Sequence, residues 1–140
     1  MNQTETPALN MSTKPRLLIF IVAYHAESTI SSVLARIPHS LVDKFHIEVL
    51  IIDDASKDET FEIGLKIARD GNLPFQIHVL FNPANQGYGG NQKIGYHYAI
   101  ENGFDFLIVL LSLFFVQKVC FYKHFKVRCK SAFFGVRVQG

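Results

Sequence analysis

Runs of apolar residues along this chain alternate with segments whose apolar positions recur at helical spacing. Four compact apolar runs predict buried strands: Leu17–Ala23, Glu48–Ile52, Phe75–Phe81 and Phe106–Leu111. The segments between them predict three helices: Ser28–Ile37, Ser56–Asp70 and Asn91–Asn102. Ser56 and Glu59 have the spacing of a capping box, which predicts that the second helix begins there.

The order of these elements predicts an α/β fold. Strands that alternate with helices through short connections favour a doubly wound, mostly parallel sheet with helices on both faces. Open sheets of this kind bind ligands at the carboxyl ends of their strands, so the residues that follow each strand are the candidates for function.

Charge divides the chain into parts of different character. Residues 1–105 contain all 12 Asp and Glu residues and 8 Lys and Arg residues, whereas residues 106–140 contain 6 Lys and Arg residues and no acid. Both cysteines, Cys120 and Cys129, also lie in the basic part. We therefore expect a flexible amino-terminal segment at 1–15, an α/β unit at 16–111 and a separate basic tail at 112–140. No disulfide framework is indicated.

The amino-terminal segment is polar and has no basic stretch ahead of an apolar one, so it does not resemble a signal peptide, and a cytoplasmic location is expected. The basic tail leaves peripheral association with the inner face of a membrane open. Its aromatic and basic residues interleave, but unselected sequence gives the same mixture, and we expect no nucleic-acid partner. Cys120, His124 and Cys129 match no common zinc spacing.

Polar side chains follow the first two predicted strands. Tyr24 and Glu27 come after the first, where a ring can stack on a base and a carboxylate can accept from ribose hydroxyls. Asp53 and Asp54 end the second, where paired carboxylates suit a base imide, a sugar hydroxyl or a divalent cation. The structural alternative is a capped helix start with an exposed aromatic residue after the first strand, and an acidic helix-capping turn after the second.

A loop rich in glycine and asparagine follows the third predicted strand. Gly87, Gly89 and Gly90 permit close approach of a ligand to the backbone at the start of a helix that also carries Lys93. The spacing is G-x-G-G and not G-x-G-x-x-G, which disfavours a dinucleotide fold, and the Gly-Lys-Ser/Thr of a P-loop is absent.

Together these three segments resemble the N-terminal half of an inverting family 2 glycosyltransferase of the GT-A type, close to the dolichol-phosphate mannose synthase-like branch. The resemblance covers Arg16 to about Leu110. It rests on IVAYHAE (21–27) in the place of Pro/Ala-Tyr-Asn-Glu, on VLIIDDASKDET (49–60) in the place of V-V-D-D-x-S-x-D-x-T, and on NQGYGGN (85–91) in the place of N-x-G-x-G-x-A/N. His25 replaces the usual Asn of the first segment.

The resemblance implies a site for a UDP- or GDP-sugar donor and an acceptor that is a lipid phosphate or a glycan. Three groups of residues would form it: Ala23, Tyr24 and Glu27 around the base and ribose; Asp54 with Asp53 holding base and ribose; and Gly87 and Gly89 with Lys93 bordering the donor.

Family members end the fourth strand in an acidic D-x-D-type motif that binds Mg²⁺ or Mn²⁺ on the donor pyrophosphate. Here Ser112-Leu113-Phe114 follows the strand, and no acid occurs after Asp105. The cation motif and the general base that would deprotonate the acceptor are both missing. We therefore expect the sheet to be truncated after its fourth strand, this chain to be inactive in transfer, and its tail to be frameshifted or otherwise truncated.

Two other functions are compatible with part of the pattern. A nucleotide-binding unit without catalysis would keep the nucleoside contacts and lack the cation motif. A phosphoacceptor receiver domain also has paired acids at a strand end, but they follow the first strand, and its third strand ends in Asp rather than in Phe81-Asn82-Pro83.

Overall fold

The computed structural model describes residues 14–112, 120–123 and 126–128. Its strands are β1 (Arg16–Ala23), β2 (His46–Asp53), β3 (Gln76–Phe81), β4 (Phe106–Leu111), β5 (Cys120–Lys123) and β6 (Lys126–Arg128). Its helices are α1 (Ile30–Ala35), α2 (Thr60–Asp70) and α3 (Gly87–Glu101), with a 3₁₀ helix at His39–Asp43. The seven predicted elements occur in their predicted order. Among the described residues, none of the helices has the length and apolar character needed to cross a bilayer.

The strands form one sheet in the order β3-β2-β1-β4-β5-β6. β1 pairs in parallel with β2 and β4, and β2 pairs in parallel with β3. The predicted doubly wound, mostly parallel sheet is confirmed. The sheet continues past its fourth strand, because β5 pairs antiparallel with β4 and β6 pairs antiparallel with β5. Runs of four and three residues that contain lysine and arginine are too short to give a recognisable strand period.

Strand order also decides against the receiver-domain alternative. In the flavodoxin-like order 2-1-3-4-5, the first strand lies between the second and the third. In this chain β1 lies between β2 and β4, and β3 is at the edge. The chain reverses direction across the sheet after β3, so α3 crosses to a different face from α1 and α2.

The core lies on both faces of the sheet. Side chains alternate along each strand, so consecutive residues of β1 and β2 contribute to opposite faces. One face packs against α1 and α2, with these buried residues: Leu17, Ile19, Ile21, Val49, Ile51, Ile30 and Leu34. The other packs against α3 and the turn after it, with these: Leu18, Phe20, Val22, Leu50, Ile52, Ala99 and Phe104. Most of β1 and β2 is therefore buried on both faces, which explains the unbroken apolar sequence of these two strands.

Helix α3 approaches the sheet closely at one glycine. A methyl group on Gly95 would lie 2.3 Å from the ring of Phe20, which is fully buried. Asn91, Gly95 and Ala99 form the buried stripe of this helix, one turn apart. The glycine therefore sets the distance at which α3 lies over β1.

The starts of two helices differ from the predictions. The capping-box prediction for Ser56 and Glu59 was wrong: α2 begins at Thr60, and the side chain of its N-cap residue, Glu59, makes no capping hydrogen bond. Ser56 lies before the helix because its amide and hydroxyl both bond to Asp53 instead. Helix α3 begins at Gly87 rather than at Asn91, so the glycine-rich segment is its first turn.

The predicted amino-terminal segment at 1–15 and the predicted tail at 112–140 lie mostly outside the described residues, and so do His124 and Cys129. Their assignment as separate parts of the chain stays a prediction.

Candidate functional site

The carboxyl ends of the four parallel strands meet at one edge of the sheet. Three backbone hydrogen bonds of 2.8 to 3.1 Å join these ends: Asp54 to Ala23, Asn82 to Asp53, and Ser112 to Val22. The residues that were expected to form a site after β1, β2 and β3 therefore lie next to one another, as the topology requires.

Asp54 joins the end of β2 to the segment before α3. Its side chain is almost completely buried, with 3% of its surface exposed. Oδ1 accepts a hydrogen bond of 2.9 Å from Nδ2 of Asn82 and one of 2.8 Å from the backbone amide of Gln86. Two donors on one oxygen fix the direction in which the carboxylate points.

The first turn of α3 starts beside Asp54. Gly87 has a φ of 69°, which a residue with a side chain adopts only under strain, and its amide donates to Oδ1 of Asn85 over 2.8 Å. Gly87, Gly89 and Lys93 are all exposed. The start of this helix has a positive electrostatic potential from its backbone dipoles, and Lys93 adds a full charge in its second turn.

The loop after β1 carries an aromatic pair. Ala23 is buried at the strand end, Tyr24 is half-buried, and the rings of Tyr24 and His25 meet edge to face with centroids 4.3 Å apart. His25 has a φ of 48°. Histidine and asparagine both enter this left-handed region more readily than most residues, which explains how His25 fills a position where the similar family has Asn. The exposed Glu27 completes the loop.

Asp53 is held below the surface of the site. Its side chain is fully buried, and Oδ1 accepts hydrogen bonds from the amide and the hydroxyl of Ser56, while Oδ2 has no partner. Burial raises the pKa of Asp53, the hydrogen bonds from Ser56 oppose that rise, and the charges of Asp58 and Glu62 add to it. In this conformation Asp53 serves the turn beneath the site, and its direct contact with a nucleotide stays a prediction.

Three polar residues before and at the start of α2 contact the loop after β1, and the site prediction did not include them. Ser56, Asp58 and Thr60 accept hydrogen bonds from the amides of consecutive loop residues. Burial raises the pKa of Asp58, but hydrogen bonds from Thr60 and from the amide of Glu27 outweigh it, so the net pKa is lowered. The alternating S-x-D-x-T pattern was the available signal.

The end of β4 does not fit a divalent cation. Ser112 is 4% exposed, its hydroxyl donates to the carbonyl of Val22 over 2.9 Å, and its carbonyl accepts from the hydroxyl of Thr29 over 3.0 Å. Within the described ranges, no group of three His, Cys, Asp or Glu residues could hold a metal ion. Carboxylates are what Mg²⁺ and Mn²⁺ require from a protein, and the sequence has none after Asp105.

Comparison with known families agrees with this arrangement. Residues 18–110 match the family described as Glycosyl transferase family 2, and the chain belongs to that family. The matched range runs from β1 to β4 and includes all three strand-end segments.

Two of the proteins to which the chain is similar are mannosyltransferases. The chain is 29% identical over 94 residues to the undecaprenyl-phosphate mannosyltransferase of Micrococcus luteus, a match that covers 66% of this chain and 36% of the relative. Mannosyltransferase PcManGT from Pyrobaculum calidifontis, solved with GDP-Man and Mn²⁺, superposes with a TM-score of 0.61 and 16% identity over 72% of this chain and 28% of its own. TarS from S. aureus superposes with a TM-score of 0.50 and 20% identity, over 69% and 16% of the respective chains. The chain thus spans about a third of the curated relative's length, and the two structures support its fold.

Proposed function

We propose that the strand-end site binds the nucleoside diphosphate of a nucleotide-sugar donor. The observation that carries this proposal is the position of Asp54, where the ends of β1 and β2 and the start of α3 meet. Asn82 and Gln86 hold Oδ1, so the carboxylate has its orientation before a ligand arrives. We assign to Oδ2 the acceptance of a base N–H or a ribose hydroxyl.

The other residues of the proposed site surround Asp54. Tyr24 stacks on the base and Glu27 accepts from the ribose, with Ala23 closing the pocket at the strand end. The diphosphate lies at the first turn of α3, near Gly87, Gly89 and Lys93, because backbone amides and an ammonium group favour an anion there. Asp53 supports this pocket from below.

We propose that the sugar passes, with inversion, from the donor to a lipid phosphate or a glycan acceptor. Membership of the family and the similarity to two mannosyltransferases support transfer of a sugar. The Pyrobaculum structure holds GDP-Man, so GDP-mannose is the donor to test first and a UDP-sugar the second. The Micrococcus relative is named for a lipid-phosphate acceptor, and we place such a reaction at the cytoplasmic face of a membrane.

A second candidate function is nucleotide binding without transfer. Ser112 at the end of β4 supports it, because it presents a hydroxyl already bonded to the carbonyl of Val22 where a cation would need carboxylates. We propose that residues 16–111 form the donor-binding unit and that 112–140 is a basic tail outside the family pattern, translated from a shifted reading frame. Translation of the other two frames of the coding DNA beyond Leu111 tests the latter, and an acidic motif in either frame is the expected result.

Titration calorimetry with GDP, UDP and inorganic pyrophosphate tests the binding proposal. We expect GDP or UDP to bind and pyrophosphate to bind more weakly, because the base and ribose contacts are lost. Equal affinity for pyrophosphate would contradict the roles of Tyr24 and Asp54. Transfer of radiolabelled mannose from GDP-mannose to a polyprenyl phosphate then separates the two functions, since binding without labelled lipid supports the second.

A further inference from the structure

Three consecutive backbone amides of the loop after β1 donate to three side chains from the segment that begins α2. The pairs are His25 with Oγ of Ser56 at 2.9 Å, Ala26 with Oγ1 of Thr60 at 2.7 Å, and Glu27 with Oδ2 of Asp58 at 3.3 Å. The acceptors occupy alternate positions in the sequence, and the donors are adjacent. The segment 56–60 therefore holds three successive loop residues, His25, Ala26 and Glu27, by their backbone amides.

The two hydroxyl groups act as donors and acceptors at the same time. Oγ of Ser56 accepts from the loop and donates to Oδ1 of Asp53, and Oγ1 of Thr60 accepts from the loop and donates to Oδ1 of Asp58 over 2.6 Å. Only a hydroxyl group offers both functions on one atom at this reach. The pattern of Ser, Asp and Thr at alternate positions thus follows from the hydrogen bonds it makes.

A side chain of the loop also accepts a hydrogen bond from the segment 56–60. Oε2 of Glu27 accepts a hydrogen bond of 3.1 Å from the amide of Glu59, the residue before α2. Thr60 and Ala26 are buried at 0% and 1% exposure, so their hydrogen bond is shielded from water. Losing an acceptor there would leave a buried amide without a partner, which costs more than the loss of an exposed hydrogen bond.

These hydrogen bonds hold the backbone of the loop after β1 in an uncommon conformation. His25 is held at a φ of 48°, in a region that a non-glycine residue enters only at a cost. Tyr24 precedes it, and their rings are in contact. The conformation of residues 24–27, and so the direction of the Tyr24 ring and the Glu27 carboxylate, depends on the acceptors in 56–60.

We propose that Ser56, Asp58 and Thr60 are positioning residues that hold the loop 24–27 in the shape that receives the nucleotide base and ribose. This inference rests on the proposed function of the strand-end site. None of the three touches the ligand; each acts through a backbone amide of the loop.

The experiment combines amide hydrogen exchange, observed by NMR, with calorimetric titration of GDP and UDP into the full chain. Ser56→Ala and Thr60→Val remove a hydroxyl each, and Thr60→Ser keeps one. Ser32→Ala is the matched control, because the exposed Ser32 hydroxyl donates to the carbonyl of Thr29, the residue before α1, and not to the loop 24–27. We expect faster exchange at His25 in Ser56→Ala and at Ala26 in Thr60→Val. Nucleotide affinity should fall roughly three- to tenfold in both, and Thr60→Ser should restore it.

The results distinguish failure of the positioning role from failure of the proposed nucleotide-binding function. If the unmodified chain binds neither GDP nor UDP, the proposed function fails and the positioning role fails with it. If the unmodified chain binds and both hydroxyl-free variants bind equally well, only the positioning role is overturned. Protected amides in β1 and β2 report that each variant is folded, and should Thr60→Val not fold, the partly exposed Ser56→Ala decides the question.

Discussion

The side-chain amide of Asn82 donates a hydrogen bond of 2.9 Å to Oδ1 of Asp54, so the residue after β3 holds the carboxylate that follows β2. Asn82 is 9% exposed and Asp54 is 3% exposed, which shields the bond from water. A carboxylate that is oriented in the absence of ligand loses little freedom when a ligand binds. The neighbouring strands therefore prepare the proposed site as a direct result of their order in the sheet.

Two substitutions of Asp54 distinguish the effect of its negative charge from the effect of its hydrogen bonds with Asn82 and Gln86. Asp54→Asn keeps a carbonyl oxygen for Asn82 and Gln86, so we expect the fold to persist while nucleotide binding weakens by about 1 to 3 kcal/mol through loss of a charged hydrogen bond. Asp54→Ala also removes the anchor of the segment before α3 and should weaken binding further. Calorimetry with GDP measures both. Asp70→Ala, at the exposed far end of α2, is the matched control; equal affinity in all three variants would remove Asp54 from the site.

Gly95→Ala tests the close approach of α3 to the sheet. The added methyl group meets the ring of the fully buried Phe20, so we expect a loss of roughly 1 to 3 kcal/mol in the free energy of unfolding from overpacking. Urea denaturation followed by circular dichroism gives the value. Gly89→Ala is the control, since its added methyl has nothing within 4 Å.

A double variant tests whether the contact between residue 95 and Phe20 causes the loss of stability. Phe20→Leu in the Gly95→Ala background should recover part of the lost stability, because a smaller side chain makes room for the methyl group. Additive effects of the two substitutions would show that the contact does not limit the helix-to-sheet distance.

Stability should respond to pH with opposite signs at Asp53 and Asp58. The folded-state pKa of Asp58 is lowered from 3.8, so its unfolded form binds a proton first, and its contribution is present above pH 3.8 and lost as pH falls through the lower folded value. The folded-state pKa of Asp53 is raised from 3.8, so the folded form binds a proton first, and its contribution grows as pH falls from the raised value toward 3.8.

Urea denaturation of Asp53→Asn and Asp58→Asn between pH 3 and pH 7 measures this difference. The stability of the unmodified chain relative to Asp58→Asn should decrease on acidification, and relative to Asp53→Asn it should increase. The same sign for both variants would contradict the assignment of burial as the dominant influence on Asp53.

Removal of divalent cations should have little effect on nucleotide binding. The end of β4 presents the hydroxyl of Ser112, already bonded to Val22, where a cation would need carboxylates. We therefore expect the dissociation constant for GDP to change less than about twofold between EDTA and Mn²⁺. A tenfold or greater gain in affinity with Mn²⁺ would reveal a cation site in this chain.

The order of the elements and the location of the site were predictable from the sequence because both follow from local patterns. Short unbroken apolar runs are typical of strands with two dry faces, and alternation with helices favours parallel pairing. Asp54 could be placed at the edge of the sheet on that basis alone.

Features that depend on contacts between distant segments were not predictable. Ser56 and Glu59 have the spacing of a capping box, but the hydroxyl of Ser56 bonds instead to Asp53 and to the amide of His25, a residue of another loop. The burial of Asp53 has the same origin, because its side chain faces the α2 side of β2. Adjacent aspartates look equivalent in a sequence, whereas Asp53 ends β2 and bonds to Ser56, and Asp54 follows the strand and bonds to Asn82 and Gln86.

The central position of β1 has a consequence for the order in which the chain folds. Ile19 pairs with Val49 on one side and with Ile108 on the other, so its second partner is 89 residues away. Closing so long a loop costs entropy before any contact repays it, and parallel pairing of distant strands is intrinsically slow. During synthesis, β1 must wait with one side unpaired until β4 has left the ribosome.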